Sequence, residues 1–272
     1  MTGSGFPIAF REQGDGPAVV FLHGVGGDSL VWQDQLAHFG ADYRAIAWDM
    51  PGYGGSAPLD DVGFAALADA LACLLDHLDI QRAHVVGHSI GGMVAQEFIA
   101  CHPDRVASLV LSATSPAFGN PDGDFQKKFV AARMAPLDAG KTMADVAADL
   151  VPAMIAEGAD PEGVARARDC MSRVSPQTYR AMMNCLVTFD RRAALGGIKV
   201  PSLLLAGGAD RNAPAAMMER MAARIPGADY VCLDGVGHLA NLEQPTAFDA
   251  AVRRFLDRLQ EQENRKHHHA QH

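Results

Sequence analysis

Gly87-His88-Ser89-Ile90-Gly91-Gly92 is the stretch on which the reading of this chain turns. Ahead of it lies a short apolar run, 83–86, and behind it 93–101 carries apolar residues at helical spacing. G-x-S-x-G between a strand and a helix describes a very sharp turn, which strains the backbone of its central residue and projects that side chain from the sheet edge. Glycines two before and two after are needed because a Cβ at either position would clash with the neighbouring strand and helix. The pentapeptide by itself also occurs as an inert buried turn. The strand before it and the helix after it favour a nucleophile turn with Ser89 at the apex.

Outward from this turn, short apolar runs alternate with longer helical patterns, the signature of a parallel α/β sheet. The runs are 18–22, 43–48, 83–86, 108–111, 202–206 and 230–233. They are rich in Val, Ile and Leu with little alternation, as strands covered on both faces should be. Helix-period positions fill 62–78, 93–101, 215–225 and 248–259, and Pro245 stands where the last of these can begin. After Ser112 the alternation stops. The segment 116–195 offers no strand but several helical stretches, among them 142–156, 161–174 and 176–189, before Gly196, Gly197 and Pro201 restore loop-then-strand punctuation. The expected organisation is a sheet domain from 1–115 and 196–260, a helical insert at 116–195 and a disordered polar tail at 261–272. His267, His268 and His269 fall in that tail and are read as chain-end residues, so no metal site is expected.

Composition narrows the function classes. The 272 residues are 49% hydrophobic and 20% charged, enough for one large domain and incompatible with disorder as the dominant state. The 32 acidic against 23 basic residues give a formal charge of −9 with no run of Lys and Arg, so nucleic acid is not an expected partner. The apolar segments are too short to span a bilayer, and 1–10 lacks the basic and apolar regions of a secretory signal. Cys73, Cys101, Cys170, Cys185 and Cys232 are scattered without CxxC spacing, which suits a reducing compartment and a cytoplasmic location.

A serine hydroxyl is a poor nucleophile until a base removes its proton. His238 is the best candidate base, since it follows Gly237 in a loop just after the last strand run. His84 lies within a strand, His38 and His77 read as exposed helix positions, and His102 as a helix-end residue. His88 flanks the nucleophile and is expected to point away from it, as a packing or hydrogen-bonding residue. Asp210 follows the run 202–206 at a strand's carboxyl end, where it could fix the His238 tautomer and stabilise the imidazolium. Its competing role is a cap for the helix near Pro214. Asp234 is nearer to His238 in sequence, but four residues leave only an awkward turn. Ser, Asp, His is the chain order associated with this kind of nucleophile turn. The loop His23-Gly24-Val25-Gly26-Gly27 supplies the remaining element: the backbone N–H groups of Val25 and Ile90 are the expected oxyanion donors, the second aided by a helix dipole.

Taken together, 23–27, Asp49-Met50-Pro51-Gly52-Tyr53-Gly54-Gly55-Ser56, 87–92, Asp210 and Gly237-His238 make the chain resemble the α/β-hydrolase superfamily. Within it the chain is most similar to 3-oxoadipate enol-lactonases, cofactor-free perhydrolases and small carboxylesterases, on the strength of 87–96 and Ile198-Lys199-Val200-Pro201. The resemblance implies an α/β-hydrolase fold, a mostly parallel central sheet flanked by helices, with 116–195 as a helical cap over the site. It also implies a serine hydrolase that cleaves a small-molecule ester or lactone through an acyl-enzyme on Ser89, without cofactor or metal, a 3-oxoadipate enol-lactone-like compound being one candidate. Ser89 stands where haloalkane dehalogenases and epoxide hydrolases carry Asp. The Ser-Gly-Pro-Gly familiar after His-Gly in meta-cleavage C–C hydrolases is missing after Gly24. The alternatives kept are a C–C bond hydrolase or perhydrolase on the same triad, and a non-catalytic ligand-binding member.

Two decoys are set aside. Gly140-Lys141-Thr142 resembles a phosphate loop, but Ala135 and the missing strand break the pattern; Gly52 to Ser56 lacks GxGxxG spacing. For the substrate pocket, Phe125, Phe129, Met134, Met154, Met182 and Met183 are either lining or cap core, with cap core favoured. Arg133, Arg173, Arg180, Arg191 and Arg192 are the candidates to meet a substrate carboxylate, though most should be solvated surface charges.

Overall fold

Among the described residues seven strands build one sheet: β1 (Phe10–Gln13), β2 (Ala18–Leu22), β3 (Arg44–Trp48), β4 (Ala83–His88), β5 (Val106–Ser112), β6 (Ser202–Gly207) and β7 (Asp229–Leu233), in the order β1-β3-β2-β4-β5-β6-β7. This computed structural model describes residues 6–120 and 122–269. All six expected strands are present. β2 and β6 are buried along their whole length, as their unbroken apolar sequences require, whereas edge strand β7 is half-buried. The sequence pattern did not reveal β1. Phe10-Arg11-Glu12-Gln13 is polar and mostly exposed, and its backbone pairing to β3 makes it the sole antiparallel member. Residues 1–5, part of the stretch read for a leader, lie outside the described residues.

The helices are α1 (Gln33–Phe39), α2 (Phe64–His77), α3 (Ile90–Cys101), α4 (Asp124–Asp138), α5 (Met143–Met154), α6 (Pro161–Arg173), α7 (Pro176–Leu186), α8 (Ala215–Ala222), α9 (Ala240–Glu243) and α10 (Pro245–His269). Four of them, α4 to α7, lie between β5 and β6, where the described residues add an isolated bridge between Ala117 and Asp190 and a short 3-10 turn at Leu195–Gly197. Thr142, in the phosphate-loop decoy, is the N-cap of α5 in a reciprocal capping box with Asp145, and Lys141 pairs with Asp149. α10 extends past 261 to His269, while 270–272 and the side chains of His267, His268 and His269 lie outside the described set.

Topology decides where chemistry can occur. From β2 the chain moves through α1 to β3 on one side, then crosses to β4 on the other side of β2. The loops leaving β2 and β4 therefore diverge from adjacent strand ends, Leu22 opposite Gly87, and open a crevice there. The register continues across the sheet: His88 is opposite Ser112, Ser112 opposite Leu205, and Gly207 opposite Leu233. The loops carrying Val25, Ser89, Asp210 and His238 all leave the same carboxyl edge.

On the far side of β2, Trp32, Phe21, Phe39 and Phe248 form a fully buried aromatic cluster joining α1 and α10 to the sheet. Asp249 is buried beside it and accepts a hydrogen bond of 2.9 Å from Gln35 Nε2. Burial pushes this carboxyl up to about 6, more than the Gln35 bond lowers it. The folded chain thus holds the proton more tightly than the unfolded one, so stability falls as pH rises from about 4 to about 6. Asp249→Asn keeps the acceptor for Gln35 and is expected to stabilise the protein at pH 8 by on the order of 2 kcal/mol. The gain should vanish below pH ~4. Thermal melts of both proteins across that range check this.

Candidate active site

Ser89 caps α3 with φ 54° and ψ −121°, a conformation that side-chain-bearing residues rarely adopt. The tightness of the turn explains the flanking glycines. A Cβ on Gly91 would stand 2.2 Å from the Leu22 carbonyl oxygen, and one on Gly87 2.4 Å from that of Gly91. The strained residue is pinned from β5 and its exit: Ser89 N–H donates to the Ser112 carbonyl (2.9 Å), and Thr114 Oγ1 donates to the Ser89 carbonyl (2.7 Å).

The structure brings Ser89, His238 and Asp210 together from three different loops. Ser89 Oγ lies 3.1 Å from His238 Nε2, and His238 Nδ1 donates to Asp210 Oδ2 at 2.8 Å. Asp210 Oδ1 accepts the N–H groups of Asn212 (2.7 Å) and Ala213 (3.0 Å), so it orders its own turn while facing the histidine. Burial raises its carboxyl pKa, but the His238 bond and charge and the two amides outweigh burial and hold it below the ordinary value. Asp234 is exposed on the turn after β7.

Val25 lines the cavity over Ser89, and the Ile90 N–H opens α3. Among the described hydrogen bonds neither amide has an acceptor. The loop bearing Val25 is held by His23, whose Nδ1–H donates to the Gly24 carbonyl (2.8 Å) while Nε2 accepts the Met50 N–H (2.9 Å). Burial lowers the His23 pKa, which keeps the ring neutral as that second bond requires. His88, expected to pack or hydrogen-bond away from the nucleophile, donates from Nε2 to the His238 carbonyl (2.8 Å). Burial, with His238 alongside, lowers its pKa to about 3, so it stays neutral.

One residue was missed in the sequence. Glu243 is 2% exposed. Its Oε2 accepts the N–H groups of Gly237 (2.9 Å) and Ala156 (2.8 Å), and its Oε1 that of Leu239 (2.9 Å). The carboxylate therefore grips the chain on both sides of His238 and ties it to the end of α5, where His238 N–H also donates to the Met154 carbonyl (2.7 Å). A Cβ on Gly237 would meet that same carbonyl oxygen at 2.5 Å. The available signal was an acid directly after the mostly apolar Leu239-Ala240-Asn241-Leu242, just ahead of Pro245. Glu243→Gln turns one acceptor into a donor facing N–H groups, so His238 should lose its fixed position. We expect kcat on a neutral ester to fall about 10- to 100-fold. KM should change little, and kinetics run below the melting temperature of the variant separate this from unfolding.

A cavity of about 500 Å³ opens above Ser89 and His238. Phe125, Phe129, Met154 and Met183 line it, whereas Met134 and Met182 belong to the buried core. Of the five candidate arginines only Arg133 lines it. Arg173 pairs with Asp28 and Asp169, Arg180 with Asp138, Arg191 with Glu97 and Arg192 with Asp190. Among the described residues, no group of three or more His, Cys, Asp or Glu could hold a metal ion, and no helix is long and apolar enough to cross a membrane.

Comparison with known proteins adds four findings. A family profile described as alpha/beta hydrolase fold matches residues 17–245. RutD of Pseudomonas syringae, named as a candidate carbamate hydrolase, is 31% identical over 256 residues, 90% of this chain and 95% of that one. 3-Oxoadipate enol-lactonase 2 of Acinetobacter baylyi is 29% identical over 251 residues, 91% of each chain. Among solved structures, a thermophilic esterase from Thermogutta terrifontis superposes with a TM-score of 0.85 at 28% identity, covering 92% of this chain and 93% of that one.

Proposed function

Because the chain belongs to the α/β-hydrolase family, we propose that it is a serine hydrolase cleaving carboxylic esters or lactones. The hydrogen-bonded series Ser89, His238, Asp210 at the floor of a mainly apolar cavity carries this reading. Ser89 Oγ attacks the carbonyl carbon while His238 Nε2 takes its proton. The Val25 and Ile90 amides hold the tetrahedral oxyanion, and Asp210 stabilises the imidazolium. His238 then protonates the leaving alkoxide, leaving an acyl group on Ser89. Water attacks that ester with the same imidazole as base, and the acid departs with Ser89 restored. A lactone follows the same course, its alkoxide remaining tethered to the acyl group. In this reading 116–195 is a cap over a core formed by 1–115 and 196–260, and five free thiols suit a cytoplasmic site.

The test is a panel of short aryl esters, small lactones including an enol-lactone, and aryl carbamates, together with labelling by a fluorophosphonate. Turnover of esters or lactones and one phosphonyl group on the Ser89 peptide are expected. Preference for the enol-lactone would select the narrower substrate. Preference for carbamates would move the reading to the chemistry named for RutD. A folded protein that neither turns over the panel nor takes the label would overturn it.

A further inference from the structure

The loop bearing Val25 is held from two sides. His23 fixes its start on the sheet, and the Gly27 N–H closes its turn by donating to the Gly24 carbonyl (3.0 Å). Its outer face is covered by the last turn of α6. Met171 lies directly on Gly26, where a Cβ would overlap the end of the methionine side chain. Cys170 and Arg173 both reach Asp28, the residue that ends the loop.

Asp28 is buried. Its Oδ1 accepts the Leu30 N–H (2.9 Å), capping the short helical turn Ser29–Trp32, and also the Cys170 thiol (3.3 Å). Its Oδ2 accepts Arg173 Nη2 (2.8 Å). Burial raises the Asp28 carboxyl pKa, but the Arg173 bond, the Leu30 amide and the Cys170 thiol outweigh burial and hold it below the ordinary value. Burial, with Asp28 beside it, pushes the Cys170 thiol up to about 12, so it remains a donor. Arg173 therefore supplies the charge that this buried carboxylate needs, and Asp169, one turn back on α6, holds the guanidinium in place.

The other end of α6 meets the base. Asp160, its N-cap, donates its N–H to the Glu243 carbonyl (2.9 Å), and a Cβ on Gly163 would overlap the Leu242 carbonyl oxygen. Glu243 is the clamp on the chain around His238. The 13 residues of α6, about 20 Å long, thus run from the segment that holds the base to the loop that carries the oxyanion donor. A helix fixes its two ends relative to each other better than a loop can.

Resting on the hydrolase reading above, we propose that α6 is a strut across the site and that Arg173 is a positioning residue for the oxyanion hole, acting through Asp28. The ion pair fixes the loop so that the Val25 N–H stays aimed at the oxyanion. That bond strengthens in the transition state, so its misplacement is felt in kcat rather than in substrate binding.

Arg173→Met keeps an apolar stem and removes the charge. On 4-nitrophenyl butyrate its kcat should fall about tenfold or more, with KM unchanged within about twofold. Phenylboronic acid gives a readout that loosened packing elsewhere in the cap does not move. Ser89 Oγ adds to its boron, the Ser89 proton passes to His238, and a boronate oxygen takes the oxyanion position. Its affinity should weaken by the same factor as kcat/KM. Arg173→Lys retains a cation for Asp28 and should fall between wild type and Arg173→Met. Arg180→Met breaks a cap ion pair of similar exposure, to Asp138, and should behave as wild type.

Wild-type kcat and boronate affinity in Arg173→Met, a loss confined to KM, or an equal loss in Arg180→Met would each overturn the role. A wild type that neither hydrolyses the ester nor binds the boronate would count against the hydrolase reading instead. The strut is then decided by amide hydrogen exchange below the melting temperature of each variant. The Gly27 and Leu30 amides should exchange at least about tenfold faster in Arg173→Met than in wild type, and equal rates would overturn it.

Discussion

Ser89→Ala is expected to reduce kcat on any substrate of the panel by on the order of 10⁶-fold, leaving only the residual rate of binding and oxyanion stabilisation. The size follows from the geometry. Ser89 Oγ is the side-chain oxygen placed 3.1 Å from His238 Nε2, and removing it leaves the base with nothing to activate but water. The variant should fold like wild type, because alanine keeps the Cβ and the backbone bonds from Ser89 to Ser112 and Thr114. Ser89→Gly separates chemistry from strain in the same experiment. It is equally inactive, but relief at φ 54° should raise its melting temperature, by a net gain of about 1 kcal/mol after the added freedom of the unfolded chain. Activity within tenfold of wild type in Ser89→Ala would remove Ser89 from the mechanism.

Asp210→Asn comes second, with kcat expected to fall about 10⁴-fold and little change in structure. An asparagine can still accept the Asn212 and Ala213 N–H groups through its carbonyl. Its amide nitrogen then faces His238 Nδ1 and donates where the carboxylate accepted. The imidazole answers by carrying its proton on Nε2, the nitrogen that must be free to take the Ser89 proton. The carboxylate also matters for stability, with a definite sign. Its folded pKa lies below the ordinary value, so its contribution is present at neutral pH and fades as pH falls below about 4. Wild type should therefore melt above Asp210→Asn at pH 7, with the margin closing in acid. Undiminished kcat in Asp210→Asn would return Asp210 to the alternative role of a turn cap.

The local rules of the chain were readable because they are written in adjacent residues. The glycines around Ser89, the unbroken apolar runs of β2 and β6, and the Pro245 start of α10 each follow from steric or burial demands on a few consecutive positions. The four-residue spacing to His238, too short for an easy turn, also set Asp234 aside in favour of Asp210 before any contact was known. Elements whose reason for existing is elsewhere in the molecule were not readable. β1 is four polar residues that become a strand only because the edge of β3 offers them hydrogen bonds. Glu243 is an ordinary acid in sequence and becomes a clamp because Gly237, Leu239 and the end of α5 converge on it.

The five candidate arginines between β5 and β6 show the same division for specificity. Sequence supplied five equal candidates, and tertiary structure gave four of them acidic partners and left Arg133 on the cavity wall. The sequence by itself determined the fold class, the sharp turn at Ser89 and the identity of the groups that could work beside it, since each is a matter of local backbone sterics and burial period. Tertiary structure alone decided that loops 149 residues apart meet at 3.1 Å, and which charges remain free to meet a ligand. Those outcomes depend on strand order and register, which bring distant chain segments to one edge of the sheet.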